Sequence, residues 1–363
     1  MRKKIITMLF CLLIIIAGIG LYVLLQFGAL PSDAEKSEYS KLSYYKNAEF
    51  QSPEKLVYDF NNIRNSNGNS GFFRFLWQSS FAPKEELPKV MLSKDSFPSS
   101  PEAFALYWLG HSSAIIDLNG KRILIDPVFG NAAPIPFAVP RYGKAPISVK
   151  ELPKIDYILI THNHYDHLEK STVQAIKSGH FIVPLGVGAA LRGWGIAKDR
   201  ITELGWKDSF KQDGLKIIAR EAVHFSGRTF KRNQTLWNAY VILSPDMKIF
   251  WGGDSGYGKH FSAIGKEYGP FDLTALEIDG WNTGWPNTHM FPKEVIQAAN
   301  DLQTKTLLPV HWAVFDLALH PWHESIDMVI DEAKSSSFNI TTPKMGEKIN
   351  LHSKTSHWWK DTD

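Results

Sequence analysis

Short apolar runs separated by turn-forming residues recur along most of the chain. Residues 114–125 contain two such runs on either side of Asn119 and Gly120, a pair that is typical of a tight β-hairpin. The sequence around residues 212–214 predicts a second hairpin in the same way. Longer apolar patterns predict helices at residues 168–178, 186–194, 292–302 and 325–335. This periodicity by itself indicates a mixed α/β protein.

The N-terminus has a different pattern, because basic residues at positions 2–4 precede an uncharged apolar stretch at 5–25. A stretch of this length can cross a bilayer as a helix. The basic residues predict that residues 1–4 stay cytoplasmic, which makes the chain a single-pass membrane protein with its catalytic part on the non-cytoplasmic side. The alternative is a cleaved secretory signal. However, the stretch exceeds the usual ~7–15 residues, and no small-residue cleavage pattern precedes Pro31.

Composition divides the rest of the chain into four parts. Residues 26–52 are predicted to be a polar, flexible tether, because they contain little to bury. Residues 53–103 are predicted to be an N-terminal extension packed on a catalytic domain at 104–352, and residues 353–363 a C-terminal tail. The aromatic segment 71–77 in the extension either packs against the domain or touches lipid headgroups.

Overall composition excludes several classes of protein. Hydrophobic residues make up 44% of the chain, as in a globular protein, and the net charge of +3 is too small to indicate nucleic-acid binding. The single cysteine, Cys11, lies within the apolar stretch and lacks the surroundings of a lipidation site. The remainder of the chain therefore has no disulfide and no thiolate metal ligand, and an ordinary hydrophobic core must stabilise it.

Residues 161–167 are the most informative about function, because three histidines and an aspartate directly follow an apolar run. His162 and His164 are two residues apart, so at the end of a strand both side chains leave on the same side. Asp166 and His167 follow where the chain should turn into a helix, which directs them at a second point nearby. Imidazoles and carboxylates without a thiolate favour zinc, with manganese or iron as alternatives. The other interpretation is a cluster of hydrogen-bonded histidines on a surface loop.

Three further candidate ligands stand directly after apolar runs: His224, Asp254 and His311. In open sheet proteins, functional side chains gather at the edge where strands end. Repetition of this order, an apolar strand and then a ligand, predicts that all three converge with residues 161–167. Taken singly, each is more typical of a cap or of a hydrogen-bonded polar residue.

Several blocks of the chain resemble one family. The ligand set is similar to the metal-binding constellation of the metallo-β-lactamase fold, over residues 104–350. Within that superfamily, the chain resembles the N-acylphosphatidylethanolamine-hydrolysing phospholipase D family in residues 107–113, 124–129, 161–168, 253–257, 269–273 and 302–305. The resemblance implies two packed sheets with helices on their outer faces, a four-layer αββα sandwich.

The resemblance also implies a role for each candidate. One metal would be held by His162, His164 and His224, a second by Asp166, His167 and His311, with Asp254 bridging the two. Asp126 matches a position that supports the ligand loop, and a strand-end turn before Pro127 explains it equally well. His289 matches a position near the substrate pocket, where it would orient phosphate or protonate the leaving group. A homodimer is expected from the resemblance alone.

Two more clusters lie close to these candidates in the sequence. The loop 279–287 is rich in tryptophan and turn formers, so Trp281 and Trp285 are predicted to line the substrate pocket, with simple packing as the alternative. His320 follows the last of the ligands. Because seven ligands already complete a site for two ions, His320 is predicted to support a ligand or to line the pocket.

The expected reaction is hydrolysis, because two ions roughly 3.5–4 Å apart activate a shared water and stabilise charge that develops on oxygen. The candidate catalytic residues are Asp166, Asp254 and His289. The leading hypothesis is a membrane-anchored zinc phosphodiesterase that releases an N-acylethanolamine from N-acylphosphatidylethanolamine or a related lipid. The alternatives are a hydrolase of a small soluble ester, such as a lactone or a cyclic phosphate, and a metal-binding protein without catalytic activity.

Overall fold

The structure is a computed structural model that describes residues 2–59, 62–63, 81–135 and 138–362. The aromatic segment 71–77 lies outside the described residues, so neither interpretation of it is tested. Within the described residues, two seven-stranded sheets pack face to face and helices cover their outer faces. The expected α/β class is therefore confirmed.

The chain begins with one long apolar helix, α1 (Arg2–Phe27). By length and composition, its segment Lys3–Phe27 is able to cross a membrane, and the apolar part of that segment is not buried against the rest of the protein. The last turn of α1 does touch the domain. Lys170 Nζ donates a hydrogen bond to the Leu25 carbonyl over 3.0 Å, and Arg228 Nε donates one to the Gln26 carbonyl over 2.9 Å.

The expectation of a flexible tether at residues 26–52 is wrong for much of its length. This segment forms α2 (Asp33–Tyr39) and a small hairpin of β1 (Tyr45–Lys46) and β2 (Glu49–Phe50). A capping box at Ser32 begins α2. The buried side chains of Tyr39 and Phe50 pack in one cluster with Trp237 of the domain. Burial of these aromatic rings orders a segment whose composition is otherwise polar.

The first sheet contains the strand that leads into the metal motif. Its order is β16 (Lys348–Ile349), β3 (Phe104–Gly110), β4 (Ser113–Leu118), β5 (Lys121–Ile125), β6 (Tyr157–Leu159), β7 (His180–Pro184) and β8 (Ile201–Leu204). Neighbours from β16 to β5 are antiparallel, and those from β5 to β8 are parallel. The hairpin predicted at Asn119 and Gly120 joins β4 to β5, and both residues have positive φ.

The second sheet presents the other predicted ligands. Its order is β15 (Asn339–Ile340), β14 (Thr306–Val310), β13 (Leu273–Glu277), β12 (Lys248–Trp251), β11 (Ala239–Leu243), β10 (Leu215–Arg220) and β9 (Ser209–Gln212). Strands β9 to β12 are antiparallel, and β12 to β15 are parallel. The second predicted hairpin, at residues 212–214, joins β9 to β10.

The alternation along β3 shows how the layers form. Leu106 and Trp108 face the core between the two sheets, where residues of the second sheet pack against them. Tyr107 and Leu109 face the other side and belong to a separate apolar cluster with the helices of the first sheet. Both faces of this strand are therefore buried, as its continuous apolar sequence requires.

Each of the four predicted helices is present. The first sheet is covered by α3 (Lys170–Ala175) and α4 (Val187–Gly193), and the second by α5 (Lys259–Tyr268), α6 (Pro292–Asp301) and α7 (Glu324–Glu332). Helix α3 is shorter than the predicted 168–178, because Glu169 and Ile176 both have extended backbone conformations. The layers run helix, sheet, sheet, helix.

The C-terminal tail packs on the domain. Trp358 and Trp359 are buried, and their rings lie 5.4 and 5.5 Å from the ring of Trp312. Trp312 directly follows His311. Packing of the three tryptophans therefore stabilises the end of β14, where His311 lies.

Candidate metal centre

The predicted ligands meet at one edge of the two sheets. In the first sheet, β5 ends before Asp126 and β6 ends before residues 161–167. In the second sheet, β10, β12 and β14 end before His224, Asp254 and His311. These strands run in the same direction within each sheet, so their carboxyl ends share an edge. The structure brings all seven predicted ligands together there.

One group of ligand atoms comes from His162, His164, His224 and Asp254, all within 4.8 Å of one another. Nδ1 of His164 lies 2.9 Å from Nε2 of His162 and 3.3 Å from Nε2 of His224. Oδ2 of Asp254 lies 3.6 Å from Nε2 of His162 and 3.7 Å from Nε2 of His224. Three imidazoles and one carboxylate oxygen form a donor set that suits a zinc ion.

A second group comes from His111, Asp166, His167 and His311. Oδ2 of Asp166 lies 3.5 Å from Nε2 of His167 and 3.4 Å from Nε2 of His311. The Asp254 carboxylate reaches this group too, with Oδ1 at 3.2 Å from His167 Nε2 and Oδ2 at 3.2 Å from His311 Nε2. Asp254 therefore contacts both groups.

Unpartnered atoms in these groups test whether metal ions fit. Among the described residues, Nε2 of His167, Nε2 of His311 and Oδ1 of Asp254 are buried and form no well-aligned hydrogen bond, although a carboxylate oxygen of Asp254 lies 3.2 Å from each of the two nitrogens. Leaving such atoms unsatisfied is costly in a protein interior. A divalent cation would satisfy all three, and imidazole with carboxylate is the donor chemistry of zinc, iron and manganese sites. The residues present therefore fit bound metal.

The electrostatics of the centre favour a cation as well. Burial lowers the pKa of His162 well below its usual value and that of His164 to about 4, so both imidazoles are neutral, as ligation requires. Burial also opposes a charge on His167, but the carboxylates of Asp254 and Asp166 outweigh it and raise the pKa of His167 to about 10. The negative charge of these two carboxylates keeps the proton on His167. A divalent ion bound at the same place would neutralise that charge instead of the proton.

Asp126 contacts residues 161–167, the metal loop. This position agrees with the interpretation that Asp126 supports the ligand loop. Its Oδ1 accepts a hydrogen bond from the Thr161 amide over 2.7 Å, and its Oδ2 accepts one from the Thr161 hydroxyl over 2.6 Å. Oδ2 also lies 2.8 Å from Nδ1 of His167. These contacts fix the start of the loop and the orientation of the His167 ring.

Arg228 supports the same loop from the other side. One of its terminal nitrogens, Nη1, donates hydrogen bonds to the carbonyls of Asn163 and Leu168, at 3.2 and 2.6 Å. Its guanidinium stacks over the Tyr165 ring with the carbon 4.0 Å from the ring centre. The residues between the ligands of the loop are therefore held by one buried cation.

His111 is a site residue that the sequence reasoning missed. Its Nε2 lies 3.1 Å from Oδ2 of Asp166, and its ring centre lies 4.0 Å from that of His311. Burial lowers the pKa of His111 to about 3. The signal was present in the sequence, because His111 directly follows the apolar strand β3, as the three single ligands follow theirs.

Glu277 is the second missed residue. It is completely buried at the end of β13, where Oε1 accepts a hydrogen bond from the Met290 amide over 2.8 Å. Oε2 lies 3.3 Å from Nδ1 of His289. The His289 ring centre in turn lies 5.2 Å from those of His224 and His311. Glu277 therefore orients a histidine that faces both metal groups.

A cavity of about 460 Å³ lies over the two groups. Trp285 and His289 line it, as the sequence predicted. The prediction that Trp281 lines it is wrong, because Trp281 is 2% exposed and its Nε1 donates a hydrogen bond to Ser325 Oγ over 3.0 Å. Local packing decides the position of this residue.

His320 belongs to the same buried network as Trp281. Its Nε2 lies 3.1 Å from Oδ1 of Asp279, and its ring stacks on Trp281 at 4.5 Å. The structure thus places His320 behind the cavity wall rather than against one of the seven ligands, which corrects the expectation that it supports a ligand or lines the pocket.

Comparison with known proteins shows the family. Residues 121–312 match the model of the β-lactamase superfamily domain. An uncharacterised protein of Mycobacterium tuberculosis is 38% identical over 293 residues, which cover 77% of this chain and 78% of that protein. The N-acyl-phosphatidylethanolamine-hydrolyzing phospholipase D 1 of Caenorhabditis elegans is 29% identical over 285 residues, which cover 72% of this chain and 79% of that enzyme.

Solved structures share the fold. Igni18, a metallo hydrolase from Ignicoccus hospitalis, is similar with a TM-score of 0.54 at 18% identity, over 68% of this chain and 97% of that one. At this identity the likeness shows the fold alone. The family match and the site at the sheet edge agree that the chain belongs to the metallo-β-lactamase superfamily, as a metal-dependent hydrolase that resembles N-acylphosphatidylethanolamine-hydrolysing phospholipase D.

Proposed function

We propose that this hydrolase is a membrane-anchored phosphodiesterase with two divalent ions, zinc foremost, that releases N-acylethanolamine from N-acylphosphatidylethanolamine or a related lipid. One observation carries the proposal of two ions. The Asp254 carboxylate lies within 3.7 Å of imidazole nitrogens from four histidines, two in each ligand group. A carboxylate in this position is suited to bridge a pair of ions.

Each ligand then has one role. The first ion would be held by His162, His164 and His224, and the second by Asp166, His167 and His311, with Asp254 shared. Ions bound there supply Lewis-acid activation of water and charge stabilisation at the phosphoryl oxygens. The protein contributes rigidity, because Asp126 and Arg228 hold the loop that presents four of the seven ligands.

His289 is the candidate that contacts substrate besides the metal ligands. It lines the cavity, and Glu277 holds its Nδ1 edge, which leaves Nε2 as the ring nitrogen available to a ligand. We assign to this nitrogen a hydrogen bond with the phosphoryl group or with the oxygen of the leaving alcohol. The buried Glu277 fixes the ring in the orientation that this contact needs.

The walls of the cavity support a lipid as substrate. Tyr58, Phe225, Trp285 and Leu317 give the lining a large apolar area, which suits acyl chains. Arg232 adds a cation at the same wall, with its guanidinium carbon 4.7 Å from the centre of the Phe225 ring. Phe225 itself packs on His164 at 4.5 Å. A cation this close to the metal groups suits an anionic phosphodiester better than a neutral lactone.

Helix α1 supports action at a membrane. Its length and composition allow it to cross a bilayer, and its last turn is hydrogen-bonded to residues beside the metal loop. The basic residues at positions 2–4 favour a cytoplasmic N-terminus. The catalytic domain would then lie on the non-cytoplasmic face.

The test is turnover by the purified full chain in mixed micelles. N-acylphosphatidylethanolamine and the soluble diester bis(p-nitrophenyl) phosphate are assayed in parallel, before chelation, after chelation and after zinc is added back. Release of N-acylethanolamine that chelation abolishes and zinc restores is the expected result. Turnover of the soluble diester alone would retain the phosphodiesterase and reject the lipid, and turnover of neither would favour a lactone or another carboxylic ester.

A further inference from the structure

The loop at residues 229–232 exposes an aromatic ring between basic residues. The side chain of Phe230 is 90% exposed, whereas no other large apolar side chain described outside α1 exceeds the 63% of Met91. Lys231 and Arg232 follow it, and both are exposed. The loop is ordered, because the Thr229 hydroxyl donates a hydrogen bond to the Lys231 carbonyl over 3.0 Å and accepts one from the Lys231 amide over 3.2 Å. This turn directs the Phe230 ring outward.

The loop lies where the apolar helix ends. The Phe230 ring meets the ring of Phe27, the last residue of α1, edge to face at 5.5 Å. Arg228, just before the loop, donates its hydrogen bond to Gln26 in the last turn of α1. The ring contact with Phe27 and the hydrogen bond to Gln26 therefore hold the 229–232 loop beside the end of α1. If α1 spans a bilayer, the loop lies at the boundary between the bilayer and water.

This level determines which environment suits the loop. A phenylalanine exposed to water is unfavourable, but an aromatic ring partitions well into the boundary between headgroups and acyl chains. Lysine and arginine near an anionic membrane surface are each stabilised by about 1 kcal/mol. The loop has one residue type for each environment: Phe230 suits the acyl boundary, and Lys231 and Arg232 suit an anionic membrane surface.

We propose that the 229–232 loop docks into the headgroup layer of the membrane that α1 spans, with Phe230 at the acyl boundary and Lys231 and Arg232 against anionic headgroups. The inference rests on the proposed function, because it takes α1 as the membrane anchor. Arg232, at the end of the loop, and Gly227, two residues before the loop, also line the cavity over the metal groups. The cavity mouth is therefore held at the bilayer surface, and a phospholipid headgroup enters it without leaving the membrane.

Spin labels test the docking in the full chain. The chain has one cysteine, Cys11, in α1, so the native protein labels the proposed span, and Cys11→Ser provides a background for new sites. In that background, Phe230→Cys labels the loop and Asp246→Cys labels an exposed turn as the matched control. The proteins are reconstituted in vesicles of phosphatidylcholine and phosphatidylglycerol, and the accessibility of each label to oxygen and to aqueous nickel chelate is measured.

The expected result is a graded series. The Cys11 label is accessible to oxygen and shielded from nickel, the label at 230 is shielded several-fold from nickel, and the label at 246 is fully accessible to it. Equal nickel accessibility at 230 and 246 would overturn the docking while leaving the anchor and the hydrolase intact. A Cys11 label accessible to nickel would overturn both the anchor and the docking.

Kinetics give a second readout. Lys231→Gln is expected to lower turnover of lipid in anionic vesicles about fivefold, the factor that corresponds to about 1 kcal/mol of surface attraction for one lysine. Phe230→Ser is expected to lower the same turnover, because the ring no longer enters the acyl boundary. Turnover of the soluble diester should stay at the wild-type value, which separates loss of docking from loss of chemistry. Unchanged lipid turnover when Phe230→Ser and Lys231→Gln are combined, or an equal fall on both substrates, would contradict the docking.

Discussion

Nδ1 of His167 donates a hydrogen bond to Oδ2 of Asp126 over 2.8 Å, and both side chains are fully buried. Asp126 follows β5 and His167 follows the neighbouring strand β6, so the pairing of two parallel strands creates the contact. With Nδ1 engaged, the Nε2 edge of the ring faces Asp254 and Asp166. The carboxylate thereby selects the tautomer that a metal ligand needs.

Replacing Asp126 with Asn should weaken metal binding without unfolding the protein. The amide oxygen still accepts from the Thr161 amide, but the charge that orients His167 is lost. Affinity for zinc is expected to fall about 10–100-fold, measured by competition with a chelating dye. The matched control is Asp246→Asn in an exposed turn, and wild-type affinity in Asp126→Asn would contradict the assigned role.

Replacing Asp254 with Asn should remove the bridge between the two ligand groups. We expect activity to fall at least about a hundredfold and the bound metal to fall below two ions per chain, because a neutral amide is a weaker ligand for two cations. Activity is assayed on the soluble diester, metal content by mass spectrometry and folding by circular dichroism. Full activity with a native spectrum would rule out a shared bridge.

Glu277→Gln and His289→Ala should each lower the turnover number, by about a hundredfold, with little change in metal content. Neither residue is assigned to hold an ion, and the glutamate acts by orienting the histidine. The double variant is therefore expected to be no worse than His289→Ala alone. Additive losses would show that Glu277 acts independently of His289.

Removal of metal should lower thermal stability. Burial by itself would raise the pKa of Asp254. The neighbouring imidazoles, His167 and His311 foremost, outweigh burial and hold the pKa well below its usual value, so this carboxylate stays charged in the folded protein. At a thousandfold excess over Kd, an ion that binds only the folded state stabilises it by about 4 kcal/mol. Chelation is expected to lower the melting temperature by roughly 10 °C, and zinc to restore it. An unchanged melting temperature would contradict a metal bound at this strength.

Phe50→Ala should destabilise the protein by about 3 kcal/mol, because the ring is fully buried against Tyr39 and Tyr45. The matched control is Lys46→Ala in the same hairpin, whose side chain is exposed and whose loss should cost less than about 0.5 kcal/mol. Chemical denaturation measures both. Equal stability of the two variants would show that residues 33–50 contribute nothing to the folded core.

Much of the site could be predicted from local sequence. His162 and His164 are two residues apart at a strand end, and that spacing alone places them on one side. His224, Asp254 and His311 each follow an apolar strand, so sheet geometry gathers them at one edge. His111 carries the same signal, because it directly follows β3.

The tertiary structure alone decided the rest, because those contacts join residues that local patterns do not relate. Arg228 meets Gln26, which lies 202 residues earlier, and this pairing places the 229–232 loop at the end of α1. Trp281 and Trp285 occupy the same loop, yet burial against Ser325 removes the first from the cavity while the second lines it. Sequence by itself determined which residue types reach the sheet edge. Packing between distant segments determined which of them face the cavity, the metal groups or the apolar helix.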